Sequence, residues 1–157
     1  MRIGRTMTAW ALVMVATLTC VSSARAGATH TEFVGTFFLV SPCPGEFSAA
    51  TGPLKITYNE NRGGTHFVVH LTFKSTGIGD QGNSFIVPYE TNGQFDAPSG
   101  GGPGFTFFDL AGHGEAVSAG SAPNFGFDLG IRVFVVGGTP TGANFIAPFS
   151  FSIRRLC

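Results

Sequence analysis

The sequence predicts an all-β fold, an antiparallel meander β-barrel of about eight strands, with a two-sheet β-sandwich as the alternative. Three observations carry this. The chain holds 17 Phe and 23 Gly, and every Phe and all but one Gly lie beyond residue 26, a composition suited to pleated, half-buried surfaces joined by tight turns. Apolar residues recur at every second position in several stretches, the period of a strand with one buried face. Good helix formers such as Leu, Glu and Lys are scarce beyond residue 26, so little favours helices there.

The first 26 residues stand apart. Arg2 and Arg5 precede an apolar run from Ala9 to Leu18, followed by Ala24-Arg25-Ala26, which reads as a helical export signal cut after Ala26. The expected division is therefore a signal peptide over 1–26 and a single barrel domain over 27–157. That length supports one core and is short for two. The apolar run falls well below the roughly 20 residues needed to cross a bilayer, so no membrane span is expected and the product is secreted or periplasmic. Thr17, Leu18 and Thr19 before Cys20 do not match a lipoprotein signal. Loss of Arg2, Arg5 and Arg25 leaves six basic residues against nine acidic ones. Only Arg154 and Arg155 are adjacent, so the clustered cations that displace counterions from phosphates are missing and nucleic-acid binding is excluded.

The strands follow in order. Glu32 to Val40 reads as the first, stopped by Ser41-Pro42-Cys43-Pro44-Gly45, where two prolines cannot continue a ladder. Leu54, Ile56 and Tyr58 alternate with Lys55 and Thr57 as a second strand, ending in a hairpin loop over Asn59 to Gly64. His66 to Lys74 is the third, with Phe67, Val69, Leu71 and Phe73 on one face. Gly77, Gly79 and Gly82 mark a bend, Ser84 to Thr91 a fourth strand, and Asn92-Gly93 a turn before a short extended piece from Phe95. Ser99 to Gly104 is a flexible loop between strands. Phe105 and Phe107 alternate, then Phe108 and Leu110 take the opposite phase, so a bulge or twist near Phe107 is expected. Phe125, Phe127, Leu129, Ile131, Val133 and Val135 define a long strand suited to a curved barrel. Gly137 to Gly142 turns the chain, and Asn144 to Leu156 is the last strand, with Phe145, Ala147, Phe149, Phe151 and Ile153 in phase.

Beyond the signal only Cys43 and Cys157 remain, and in an exported protein such a pair forms a disulfide. It would close a loop of over a hundred residues, worth about 4 to 5 kcal/mol in chain-entropy models. The end of the first strand must then lie beside the end of the last, an adjacency that a closed sheet supplies.

The segments Ser41-Pro42-Cys43-Pro44-Gly45-Glu46, Gly63-Gly64-Thr65-His66 with His70, Gly77-Ile78-Gly79-Asp80-Gln81-Gly82 and the strand ending in Cys157 together resemble a group of small uncharacterised exported bacterial proteins. That group has a Pro-Cys-x-Gly-Glu element, a Gly-Gly-x-His-x-x-x-His hairpin and a terminal cysteine. The resemblance spans most of residues 27–157 and implies a β-rich secreted domain, with no activity to carry over. In architecture alone the pattern is distantly similar to calycin and allene oxide cyclase-type barrels.

No catalytic constellation emerges. His66 and His70 share a strand face about 13 Å apart, too far for one metal, and ligands from other strands, such as His113 and Glu115, would be needed. No metal and no cofactor are expected. Ser84 lacks the second Gly and the helix of a nucleophile elbow. Asp109 and Glu115 have no spacing that recommends a carboxylate pair, and Asp80 and Glu90 read as solvated. Ser99 to Gly104 is no phosphate cradle, since no Lys-Ser or Lys-Thr follows. The Phe excess fits either core filling or a cavity for a small hydrophobic ligand. The chain thus reads as a non-enzymatic exported barrel acting as a binding or surface-interaction module. The alternative is a barrel isomerase or cyclase acting on an apolar substrate, with Tyr58, Tyr89 or Glu90 as the nominal polar group.

Overall fold

Alternation of burial sets the architecture. Phe67, Val69, Leu71 and Phe73 are buried while Lys74 is exposed, and Phe125 to Val135 bury every odd residue. In the computed structural model the described residues are 23–25, 27–40, 46–61 and 64–146. They form one antiparallel sheet and no helix.

The strands are β1 (Ser23–Arg25), β2 (Ala28–Val40), β3 (Phe47–Glu60), β4 (Phe67–Gly79), β5 (Ser84–Phe95), β6 (Gly100–Gly102), β7 (Phe105–Ser118), β8 (Phe125–Val136) and β9 (Thr139–Ile146). Each pairs with the next around the sheet in the order β1-β2-β3-β4-β5-β7-β8-β9, and β6 lies against β7 off this path. The Cα atoms of β9 approach those of β2 within 8 Å, so the sheet is nearly closed into a barrel. Six antiparallel steps separate β2 from β9, so these two strands run in the same direction. The β4–β5 and β7–β8 connections, with the end of β2 and the start of β3, mark what is here called the upper end.

Rings fill the interior. Phe33, Phe85, Phe108 and Phe127 are fully buried. Phe127 lies 5.6 Å from Phe37 and 6.3 Å from Tyr89 by ring centroids, distances typical of offset aromatic packing. The void between Phe37, Leu54, Phe73, Tyr89, Phe127 and Ile131 measures about 10 Å³, room for no more than one water.

Several boundaries differ from expectation. β5 runs through Asn92-Gly93, which pair with His70 and Val69. A Cβ on Gly93 would meet the Phe95 ring at 2.6 Å and Leu110 at 2.7 Å, so this glycine clears space for packing and makes no turn. The turn expected over Gly137 to Gly142 is only Gly137-Gly138, with φ of 55° and 77°. Two consecutive positive φ values close a two-residue hairpin between Val136 and Thr139. No bulge sits at Phe107. β7 pairs with β8 without a shift from Phe105 to Ala116, and Phe105 and Phe107 simply face outward. The register shift lies instead between Phe134 and Val135, opposite β9.

The expected disulfide residues Cys43 and Cys157, residues 1–22 of the expected signal and the chain after Ile146 lie outside the described residues. The cut expected after Ala26 falls between β1 and β2.

Candidate functional site

Because direct cross-strand partners share a face, the registers assemble an outer wall that the sequence gives only strand by strand. Glu32 pairs with Lys55, Lys55 with Thr72 and Thr72 with Glu90, a polar row running around the barrel. Lys55 Nζ lies 3.6 Å from Glu32 Oε2. His30 Nδ1 lies 2.9 Å from Thr57 Oγ1. His70 Nε2 lies 3.4 Å from Glu90 Oε1, outside hydrogen-bonding geometry. Further round, His113 Nδ1 donates to Asp128 Oδ1 at 2.9 Å. Two open depressions border this row, one of about 650 Å³ beside His30, Lys55 and His70 and one of about 530 Å³ beside Lys74, Glu90 and His113.

The upper end of the wall is apolar. Phe38 pairs with Ala49, Ala49 with Ile78, and Thr76 with Ile86, while the Phe38 and Phe47 rings stack at 5.7 Å. Ile78 is 70% exposed, Phe47 45% and Ile86 42%. Phe38, Phe47, Ala49, Ile78 and Ile86 thus lie on the outer face of four neighbouring strands, a grouping distinct from single scattered apolar residues.

A buried carboxylate holds this end in place. Glu46 is fully buried. Its Oε1 accepts the amides of Gln81 and Asn83, each at 3.1 Å, and its Oε2 accepts Asn83 Nδ2 at 2.8 Å. Asn83 Oδ1 in turn accepts the Ala122 amide at 3.3 Å, so one network ties the start of β3 to the β4–β5 and β7–β8 connections. A Cβ on Gly79 would run into the Glu46 side chain. Of the segment Ser41 to Glu46 only Glu46 is among the described residues, and it binds the Gly77 to Gly82 segment through the Gln81 amide, beside Ile78.

No match is found for the chain among family models, curated proteins or solved structures. The site is therefore read from its own chemistry.

The tyrosines face inward. Tyr89 donates to the Leu129 carbonyl at 3.3 Å, and burial pushes its phenol up to about 12. Tyr58 donates to Glu60 Oε2 at 2.8 Å, and burial, with the Glu60 hydrogen bond, raises its pKa well above the ordinary range. Both are neutral donors already engaged. Glu90 is exposed on the outer wall and does not join them. His66 pairs with Asp96 at 3.4 Å while His70 faces Glu90, so the two histidines have separate partners. Glu115 and Ser84 are exposed. Among the described residues no three His, Cys, Asp or Glu side chains come together as metal ligands. Asp109, which the sequence did not recommend as half of a carboxylate pair, accepts two bonds of 2.7 and 2.8 Å from Arg132, with the guanidinium 4.0 Å from the Phe107 ring centroid.

The sequence reading missed Glu46, Asn83, Lys55 and Asp128. Parity does put Lys55 and Asp128 on the outer face, but does not give the partners they meet there. Nothing local marks Glu46 as buried, because its partners lie 35 and 37 residues on.

Proposed function

We propose that the protein is an exported, non-enzymatic binding module that meets a protein partner on the outer wall of its barrel. One observation carries this reading: the interior void beside the buried Tyr89 ring is about 10 Å³, whereas Phe47, Ile78 and Ile86 are exposed together outside. Pockets that hold small molecules run to about 300 Å³ or more, so an apolar ligand or a cyclase substrate has no volume to enter at Tyr89. An apolar centre bordered by the Lys55–Glu90 polar row has the anatomy of a protein interface, with a dry middle and a polar rim. Glu46 supports the same reading, since its bonds anchor the β4–β5 connection that follows Ile78.

The test is photo-crosslinking in the native host, with a light-reactive side chain at position 86. A discrete adduct that disappears with Ile78→Asp is expected. An adduct indifferent to Ile78→Asp, or no adduct, overturns the surface reading. Native mass spectrometry of the host-purified protein is the companion measurement: a small apolar molecule retained at one per chain would move the binding site to the interior.

A further inference from the structure

At the lower end of the barrel, away from Ile78, a charged side chain follows the inward positions of its strand. Leu54, Ile56 and Tyr58 are buried along β3, and Glu60 comes next on the same parity, paired with the buried Phe67 of β4. Tyr58 donates its hydroxyl to Glu60 Oε2 at 2.8 Å, which ties the carboxylate to the core. Glu60 lines a cavity of about 300 Å³ together with the rings of Tyr58, Phe67 and Phe105, a volume at the lower limit of those that hold small molecules. The Tyr58 and Phe67 centroids are 6.4 Å apart, and Phe108 packs 5.8 and 5.3 Å from them, so the core backs this aromatic wall. The β6–β7 and β8–β9 turns complete the lining with glycines. Gly104, Gly137 and Gly138 hold φ of 85°, 55° and 77°, and they put no side chain across the opening.

We infer that this mouth binds a small organic cation of the quaternary ammonium class. Charge selects the sign of the ligand. Glu60 is the one charged residue lining the cavity, and no basic residue among the described ones lines it, so a cation is neutralised there and an anion is repelled. Aromatic rings attract a positive charge over their faces, the more so where water is displaced, and three rings line the cavity. Hydration selects the kind of cation. A primary ammonium needs acceptors for three N–H groups, and the carboxylate already accepts Tyr58. A quaternary ammonium has no N–H to satisfy and presents an apolar surface to the rings, so it gives up less on leaving water. Glu60 is exposed, and the cation reaches it without any opening of the barrel. The site is at the other end of the barrel from Phe47 and Ile78, so this inference is independent of the proposed partner surface.

Titration of the isotope-labelled protein with choline, read by nuclear magnetic resonance, tests it. The ring signals of Phe67 and Phe105 are expected to shift saturably, and the absence of a saturable shift overturns the inference. The uncharged alcohol in which carbon replaces the choline nitrogen has the same shape and is expected to bind at least about tenfold more weakly. Equal binding of the alcohol makes the mouth a merely apolar pocket and overturns the inference. Glu60→Gln is likewise expected to weaken choline binding at least about tenfold, and a variant that binds as tightly as the parent protein overturns it. If Glu60→Gln does not fold, the comparison of choline with the alcohol on the unaltered chain decides alone. Saturable shifts confined to Phe47 and Ile78 would put the cation on the outer wall and also overturn it.

Discussion

Asn83 gives both its backbone amide and its side-chain amide to the carboxylate of Glu46, at 3.1 and 2.8 Å. A buried anion held by three N–H donors leaves those donors stranded when it is removed. Glu46→Ala is therefore expected to destabilise the fold by about 2 to 3 kcal/mol, read as a lower urea midpoint. Glu46→Gln should recover only part of this, because its amide group presents donors to donors. A midpoint unchanged in Glu46→Ala would show that the clamp contributes nothing.

Alkaline stability should report Tyr89. Its phenol has a raised pKa in the folded state, so the stability it contributes is fully present below the ordinary value near 10 and is lost as pH rises towards 12. Tyr89→Phe should flatten the decline in stability over that window. It should also cost about 1 kcal/mol at neutral pH, through the bond to the Leu129 carbonyl. An identical alkaline profile in the two proteins would contradict this.

On the acid side the informative pair is Asp109 and Arg132. The Arg132 hydrogen bonds hold the Asp109 carboxyl below its usual range. The stability gained is present above the ordinary carboxylate pKa and is lost as pH falls through the lowered one. Arg132→Gln should lower the neutral-pH urea midpoint and remove this portion of the acid dependence. Arg132→Lys should not restore it, since a point charge cannot reproduce the two-pronged bond or lie flat on Phe107. A Lys variant indistinguishable from the parent protein would refute the geometric argument.

Replacing Phe127 by Ala should cost about 3 to 5 kcal/mol. The ring is fully buried between Phe37 and Tyr89, and strands on both sides are too constrained by their ladders to collapse into the hole. Thermal unfolding of Phe127→Ala beside Phe134→Ala, which removes a half-buried outward ring, gives the comparison. Equal losses would argue against a packed interior.

The Cys43–Cys157 disulfide remains a proposal, and it has a direct chemical readout. Alkylation of the protein as isolated from its host should modify neither thiol before reduction and both after it. Substituting both cysteines by Ser should lower stability by up to about 4 to 5 kcal/mol. Free thiols in freshly isolated protein would end the proposal.

What the sequence disclosed and what it hid follow from the range of each interaction. The inward positions of β4 and β8 were legible because period-two alternation is a local signal, written by burial of one face. The course of β5 was not, since Asn92-Gly93 carries the chemistry of a turn and only Phe95 and Leu110, packed where a Cβ would sit, explain its use in a strand. Phe105 and Phe107 suggested a bulge or twist because the apolar phase switches at Phe108; Arg132 lying over Phe107 accounts for a ring on the outer face without one. The outer wall was the least legible part. His70 meets Glu90 and His113 meets Asp128 only once the ladders are aligned, and no spacing within one strand encodes that.

The parallel direction of β2 and β9 has a consequence for how the molecule comes into being. Ala28 and Thr139 belong to strands more than a hundred residues apart in sequence yet drawn together in space, a separation that slows folding because so much chain must be gathered first. While the sheet is being laid down from its early strands, β2 waits with one side unsatisfied. β9 cannot come to rest beside β2 until the intervening strands have been laid down, so the approach of these two strands is a late event in folding.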